Sequence, residues 1–139
     1  FNRIKIYLEP LLAPEFDHLQ TIRIGTKSLS YWPYKFVTDK HADELLTFFE
    51  RIVKSGKHLA IMAHFNHGVE LETDVAKEAI RRLRRTGAEI RSQSPVIRHI
   101  NDDGRVWAEM WKQQINWALC RITCLWNATP APITILRCR

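Results

Sequence analysis

Residues 58–67 read HLAIMAHFNH, and this segment is the clearest indication of the class of fold. The apolar run LAIMA at 59–63 is typical of a strand that is buried on both faces, as the strands of parallel sheets are. The polar cluster that follows, from His64 to Gly68, indicates where this strand ends. On either side, the chain repeats the same order of a short strand, a polar loop and a periodic helix.

Two further strands are predicted beside this one. Residues 19–26, LQTIRIGT, alternate apolar and polar positions, and residues 88–92, AEIRS, are predicted to form a third short strand. The strands begin near residues 21, 59 and 89, and such separations suit right-handed βαβ crossovers. We therefore expect an α/β protein with about three βα units of a parallel sheet.

The intervening helices are predicted from apolar spacing and from capping residues. A loop rich in proline and aromatic residues, SLSYWPYKF at 28–36, precedes a helix that Thr38 or Asp39 would cap and Gly56 would end. A second helix begins at about Thr73 and stops at Gly87. A third helix begins at about residue 103, after the loop QSPVIRHINDDG.

The length of the chain limits the architecture. A closed parallel barrel takes eight βα units and roughly 250 residues, whereas the chain has 139. The sequence therefore indicates an arc of a barrel or an open sheet. Since the chain opens at Phe1 rather than at a methionine, we expect a fragment of a longer protein.

Composition and charge exclude some classes of protein and leave others open. The chain has no apolar run long enough to predict a membrane span, and no secretory signal is evident. Three cysteines, an odd number without a disulfide pattern, suit the cytoplasm, which is the expected location. The formal net charge of +6 permits anionic partners without naming one.

Polar residues collect at the predicted carboxyl ends of the strands, where ligands bind in parallel α/β folds. His64 and His67 could bind a metal, contact a polar ligand or simply build the loop. The amide of Gln93, beside Ser94 and Pro95, could bind a ribose or an amino acid, or stabilise the loop.

The arginine-rich helix has two interpretations. Acidic residues precede Arg81, Arg82, Arg84 and Arg85, so the helix runs from acidic to basic and complements its own dipole. This order favours a structural role and permits pairing of Glu78 with Arg82, four residues apart. The alternative is a basic module that binds nucleic acid.

The pattern breaks after Gln114. The residues after Gln114 contain all three cysteines and two of the five tryptophans, and they show no helical or strand periodicity. The repeat of βα units predicts a fourth strand near residue 119. Codons for residues 117–138 can be chosen so that the neighbouring frame reads LGAVPHYLFVERDTGAHHYFEV. We therefore predict that residues 1–114 form the native domain fragment. Residues 115–139 are expected to be an out-of-frame tail without native structure, and its Cys120 and Cys124 are not expected to bind a cluster.

Four segments together resemble the lysine 2,3-aminomutase family of radical S-adenosylmethionine (SAM) enzymes. They are DHLQTIRIGTKSLSYWP, HLAIMAHFNH, GAEIRSQSPVIRHINDD and WAEMWK, and the resemblance extends over about residues 7–114. Members of the family show the same succession of an RIGT strand, a THFNHP-like strand end and a strand that ends in NQS or TQS. This chain departs from them at Gly68, where they commonly have a proline.

The resemblance implies a partial (β/α) barrel of the radical SAM type. It also implies a 4Fe–4S cluster, SAM and pyridoxal phosphate (PLP), used by an isomerase that moves an amino group from the α to the β carbon of an amino acid. His64, Asn66 and Gln93 match positions that face SAM. The cluster cysteines are expected before Phe1 and the PLP lysine beyond Arg139, so no catalytic residue or metal ligand is assigned to this chain.

The same resemblance sets the remaining expectations. The fragment is expected to be inactive alone, and the intact enzyme is expected to form a homo-oligomer without membrane or nucleic-acid partners. Lysine, glutamate and arginine remain open as substrates. The alternatives from the residues themselves are a nucleic-acid-binding module and a metallohydrolase that uses His64 and His67.

Overall fold

The computed structural model describes residues 2–117 and 119–125. Five helices are described: α1 (Asn2–Leu8), α2 (Ser28–Tyr31), α3 (Ala42–Lys54), α4 (Asp74–Arg85) and α5 (Gly104–Asn116). Four strands are described: β1 (Thr21–Thr26), β2 (His58–His64), β3 (Glu89–Pro95) and β4 (Cys120–Leu125). Short 3-10 turns occupy Pro10–Leu12, Pro14–Phe16, Pro33–Phe36 and Gly68–Leu71.

The four strands form one parallel sheet in the order β1-β2-β3-β4. Ile24 lies beside Ile61, which in turn lies beside Ile90. Each strand therefore neighbours the next strand along the chain, as consecutive βα units require. The prediction of an α/β fold with parallel strands is confirmed, while the barrel type stays a prediction.

The two faces of the sheet differ in character. Side chains alternate between the faces of a strand, and the strand residues of the hydrophobic core all lie on one face. They are Ile22, Leu59, Ile61, Ala63 and Ile90. The opposite face, which we call the open face, carries exposed or half-buried side chains that include Arg23, Met62, His64, Glu89, Arg91 and Gln93.

Helices α3, α4 and α5 cover the core face. Their buried side chains include Leu45, Phe49, Ile52, Ala76, Ile80, Leu83, Trp107 and Met110, all of which join the strand residues in one cluster or are buried beside it. Full burial of one such large side chain stabilises the fold by about 1.5–3 kcal/mol. The core therefore lies between one helical layer and the sheet, and it leaves the open face to polar residues.

Local hydrogen bonds set the predicted boundaries of α4 and α5. The Thr73 hydroxyl accepts from the Ala76 N–H at 3.3 Å, and the Asp103 carboxylate accepts from the Arg105 N–H at 2.8 Å. Gly56 and Gly87 follow α3 and α4 with φ of 85° and 83°, a left-handed conformation that suits glycine at helix ends. The predicted starts and stops at these positions are confirmed.

The predicted start of α3 was wrong. Neither Thr38 nor Asp39 caps this helix, because the N–H groups of both residues donate to the Tyr34 carbonyl at 2.9 Å. They still belong to the turn that follows Pro33–Phe36, and His41 takes the N-cap position without a capping side-chain bond. The predicted loop at 28–36 likewise contains α2 and a 3-10 turn.

The segment before β1 is tied to the core by polar contacts. Lys57 is only 6% exposed, and its ammonium group donates to the carbonyls of Phe16 and Leu19 at 2.8 and 3.0 Å. The Arg51 guanidinium donates to Glu9 at 2.5 Å, and this hydrogen bond lowers the pKa of the Glu9 carboxyl. α1 and its following turns are thereby held against α3 and the start of β2.

β4 lies within the segment predicted to be an out-of-frame tail. Its backbone pairs with β3 in parallel, with Arg91 beside Cys120 and Ser94 beside Cys124. A strand is therefore described at 120–125, close to where the repeat of βα units required one. The division of the chain after residue 114 and the frameshift stay predictions, and residues 126–139 lie outside the described part.

The longest described helices, α3 and α5, have 13 residues each. A transmembrane helix needs about 20. Within the described residues, no helix is long and apolar enough to cross a membrane.

Candidate functional site

The candidate site lies where β2 and β3 end, on the open face of the sheet. His64 is the last residue of β2 and lies directly beside Gln93 of β3 in the parallel register. Both side chains are half-buried. Pairing continues just beyond β2, because the Phe65 N–H donates to the Gln93 carbonyl at 3.3 Å. Two residues that were predicted to face a ligand are thus neighbours on one surface.

The third predicted residue, Asn66, contacts His64 directly. The Nε2 atom of the imidazole lies 2.8 Å from the Oδ1 atom of the Asn66 amide, and both side chains are half-buried. Among the described residues, no hydrogen bond reaches the Nδ1 atom of His64. The pair therefore leaves one imidazole nitrogen for a group outside the described chain.

The backbone of Asn66 is held at both of its polar groups. Its N–H donates to the Glu70 carboxylate at 2.7 Å, and its carbonyl accepts from the Asn101 side-chain amide at 2.8 Å. Glu70 lies in the turn Gly68–Leu71, whereas Asn101 lies in the loop after β3. Groups from two different loops therefore set the position of Asn66.

Asn101 is a site residue that the sequence analysis missed as such. It is fully buried, and its amide also donates to the Pro95 carbonyl at 3.0 Å and accepts from the Ile97 N–H at 2.6 Å. Together with the bond to Asn66, these bonds link the loop after β2 to the end of β3 through Asn101. Asn101 is part of the HINDD segment that the sequence analysis quoted, but the groups that its side chain bonds could not be identified from that segment.

Gln93 lies inside β3 rather than in the loop, because β3 extends to Pro95. The next residue, Ser94, points to the core face, where its buried hydroxyl donates to the Phe65 carbonyl. The Gln93 amide points the other way, and no described residue forms a hydrogen bond with it. The loop-stabilising bond considered for Gln93 is therefore made by Ser94. A ligand contact at Gln93 stays a prediction.

His67 has a local role. Its Nδ1 atom accepts from the Val69 N–H at 3.2 Å and caps the turn Gly68–Leu71. In the part of the chain that the structure describes, no three His, Cys, Asp or Glu side chains cluster as metal ligands would. No third ligand therefore joins His64 and His67 there.

Gly68 marks a close approach between the site loop and α5. A Cβ atom placed on Gly68 would lie 2.5 Å from the Oε1 atom of Gln113, well inside van der Waals contact. The Gln113 amide also donates to Glu72 at 3.3 Å. A larger residue at position 68 would therefore require the flexible end of the Gln113 side chain to move.

The arginines of α4 mostly contact the protein itself. Arg82 donates to the carbonyls of Phe36 and Val37 at 2.9 and 2.7 Å and also pairs with Asp43. Arg81 lies over the Trp117 ring at 5.3 Å. The Glu78–Arg82 pair that the spacing permits is not formed, because Arg81 bonds Glu78 at 2.6 Å while Arg82 turns towards α3. These contacts agree with a structural role for this helix.

Comparison with known proteins found relatives but no matching family model. Two proteins of Aquifex aeolicus (strain VF5), both described as "Putative L-lysine 2,3-aminomutase", resemble the chain. The first is 37% identical over 89 residues, which is 64% of this chain and 23% of that protein. The second is 32% identical over 108 residues, which is 76% of this chain and 27% of that protein. The chain thus spans about a quarter of the length of these relatives.

Proposed function

Because the chain belongs to a lysine 2,3-aminomutase-like family, we propose that it is part of a radical SAM isomerase that moves an amino group between neighbouring carbons of an amino acid. The chain would contribute βα units of the barrel and one side of the SAM site. The substrate is an amino acid, with lysine, glutamate and arginine as the candidates.

The observation that carries this proposal is the Gln93 amide on the open face. An amide can donate two hydrogen bonds and accept two more, and among the described residues none is made by this side chain. His64 lies beside it in register, and no described residue forms a hydrogen bond with its Nδ1 atom. These half-buried polar groups fit a ligand such as SAM, whose ribose, amino and carboxylate groups donate and accept hydrogen bonds.

The chain's own residues would bind and orient SAM. Gln93 and His64 would contact its polar groups, and the Asn66 side chain would hold the imidazole in place. When bound, SAM with a reduced 4Fe–4S cluster supplies the radical that removes hydrogen from the substrate, and PLP carries the migrating amino group. No group of His, Cys, Asp or Glu side chains among the described residues could hold the cluster. We assign no ligand of the cluster or of PLP to the described residues.

The first test measures SAM binding to the full chain by isothermal titration calorimetry, once circular dichroism shows that the chain is folded. In Gln93→Ala we expect the affinity to fall about tenfold, because one or two hydrogen bonds to a buried ligand group are lost. Gln20→Ala is the matched control, since Gln20 is exposed and lies just before β1, at the opposite edge of the sheet. Equal affinity in both variants, or no SAM binding by the folded chain, would contradict the proposal.

The second test addresses the reaction. This chain replaces the matching segment of the Aquifex aeolicus relative, and the chimaera is supplied with iron, sulfide, PLP and SAM. We expect SAM-dependent formation of a β-amino acid from one of the three candidate substrates, detected by mass spectrometry and NMR. Product formation by the parent protein and none by a folded, cluster-loaded chimaera would show that this segment does not support the reaction.

A further inference from the structure

We propose that Asn101 is a positioning residue that, through Asn66, holds the His64 imidazole with its Nδ1 atom as a hydrogen-bond acceptor for the ligand. This inference rests on the proposed function for the identity of the ligand, while the geometry that it describes is a property of the chain alone. It concerns the loop after β3, which touches His64 only indirectly.

The first step is the orientation of the Asn101 amide. Its Nδ2 atom faces two carbonyl oxygens, of Asn66 at 2.8 Å and Pro95 at 3.0 Å, and its Oδ1 atom faces the Ile97 N–H at 2.6 Å. Carbonyls only accept and an N–H only donates. The opposite orientation would place like groups against one another at all three contacts, so the amide has one orientation.

The second step is the restraint on Asn66. With its carbonyl bound by Asn101 and its N–H bound by Glu70, neither backbone group of Asn66 can rotate without breaking a bond. Asn101 is fully buried, so a broken bond there would leave polar groups without water to replace it. The Cα–Cβ direction of Asn66 is thereby set, and from this position its amide oxygen lies 2.8 Å from the Nε2 atom of His64.

The third step is the state of the imidazole. The Asn66 atom that lies 2.8 Å from His64 Nε2 is the amide oxygen, which only accepts. In the proposed arrangement the Nε2 atom carries the proton, and in the neutral imidazole the Nδ1 atom is left with a lone pair. His64 therefore accepts at Nδ1, and the ligand group that meets it is a hydroxyl or an ammonium group.

The experiment is nitrogen-15 NMR of the imidazoles in the full chain without ligand, above about pH 8, where ordinary histidines are neutral. The His64 signals are assigned by their loss in His64→Ala. We expect the Nε2-protonated tautomer in the unaltered chain. In Asn101→Asp the two donated bonds are lost, and we expect a mixture of tautomers. Asn116→Asp, the same exchange at an exposed residue of α5, should leave the signals unchanged.

A second pair of variants covers the case in which Asn101→Asp does not fold. Glu70→Gln keeps an acceptor for the Asn66 N–H and should preserve the tautomer, whereas Glu70→Ala should disturb it. Rescue by the conservative variant is not expected of a residue that only stabilises the fold. An Nδ1-protonated His64 in the unaltered chain would overturn the inference. The inference would also be overturned if the tautomer of His64 were unchanged in both Asn101→Asp and Glu70→Ala.

The ligand arm separates this inference from the proposed function. Titration with SAM, adenosine and methionine shows which part of the ligand moves the His64 signals, since only adenosine lacks the ammonium group and only methionine lacks the ribose hydroxyls. An Nε2-protonated His64 whose signals none of the three moves would uphold the positioning role of Asn101 and contradict SAM binding. Loss of about tenfold in SAM affinity in Asn101→Asp, with the folded state retained, would support both.

Discussion

Replacing Gly87 by alanine tests the packing of α4, α3 and β3 that underlies the site. Gly87 has a φ of 83°, and a Cβ atom added there would lie 2.9 Å from the Cγ1 atom of Val53. Gly56 has nearly the same φ, 85°, with nothing within 4 Å of an added Cβ. An alanine at either position would therefore adopt the unfavourable left-handed conformation, but only at Gly87 would it also contact a neighbouring side chain.

The magnitudes follow from these two costs. An alanine in the left-handed conformation costs about 1 kcal/mol at either position. At Gly87 the contact with Val53 adds about 1–2 kcal/mol, because a β-branched side chain in a helix has one strongly preferred rotamer and cannot easily turn aside. Gly56→Ala should thus lower the free energy of unfolding by about 1 kcal/mol, and Gly87→Ala by about 2–3 kcal/mol.

Urea denaturation of the full chain, followed by far-UV circular dichroism, measures both values. The double variant Gly87→Ala with Val53→Ala should be more stable than the sum of the single variants predicts, by about 1 kcal/mol, because the second change removes the methyl group that the first one strikes. Equal destabilisation at Gly56 and Gly87, with no coupling to Val53, would refute the close approach of α3 to this turn.

Two further predictions concern the ends of the described elements. The hydrogen bonds from Arg105 lower the pKa of the Asp103 carboxyl, so its stabilising effect is present at neutral pH and lost as the pH falls through the lowered pKa. The difference in melting temperature between the unaltered chain and Asp103→Asn should therefore close below about pH 4, and a difference that persists in acid would contradict this. Lys57→Met removes both donors to the carbonyls of Phe16 and Leu19, so amide exchange before β1 should accelerate while exchange in β3 stays unchanged. Uniform acceleration across the chain would instead mean that Lys57 supports the whole core.

Features that depend on neighbouring residues could be predicted from the sequence. Thr73 and Asp103 cap their helices through bonds to N–H groups two or three residues away, and Gly87 ends α4 through its own backbone conformation. The apolar run of β2 forms a strand whose burial follows its composition. In each case the interacting groups lie within a few residues of one another, so the local sequence pattern is enough to predict the structure.

The predictions that failed involve groups from other elements. Thr38 and Asp39 look like caps, yet the Tyr34 carbonyl takes their N–H groups into an earlier turn. Arg82 has a suitable partner four residues before it, but carbonyls at the end of Pro33–Phe36 and the Asp43 carboxylate lie closer once α4 packs beside α3. Whether a group bonds a local or a distant hydrogen-bond partner depends on how the elements pack. The spacing of residues in the sequence does not specify that packing.

The sequence was sufficient to predict the order of β1, α3, β2, α4, β3 and α5, the parallel arrangement of the strands and the polar residues His64, Asn66 and Gln93 at the strand ends. The hydrophobic effect acts on periodic patterns, and those patterns lie in the sequence. Only the tertiary structure decided that His64 and Gln93 are neighbours in register and that Asn101 binds the Asn66 carbonyl from 35 residues away. A hydrogen bond requires its donor–acceptor distance to be correct to within a few tenths of an ångström, and groups on different loops reach that distance only after the sheet has brought the loops together.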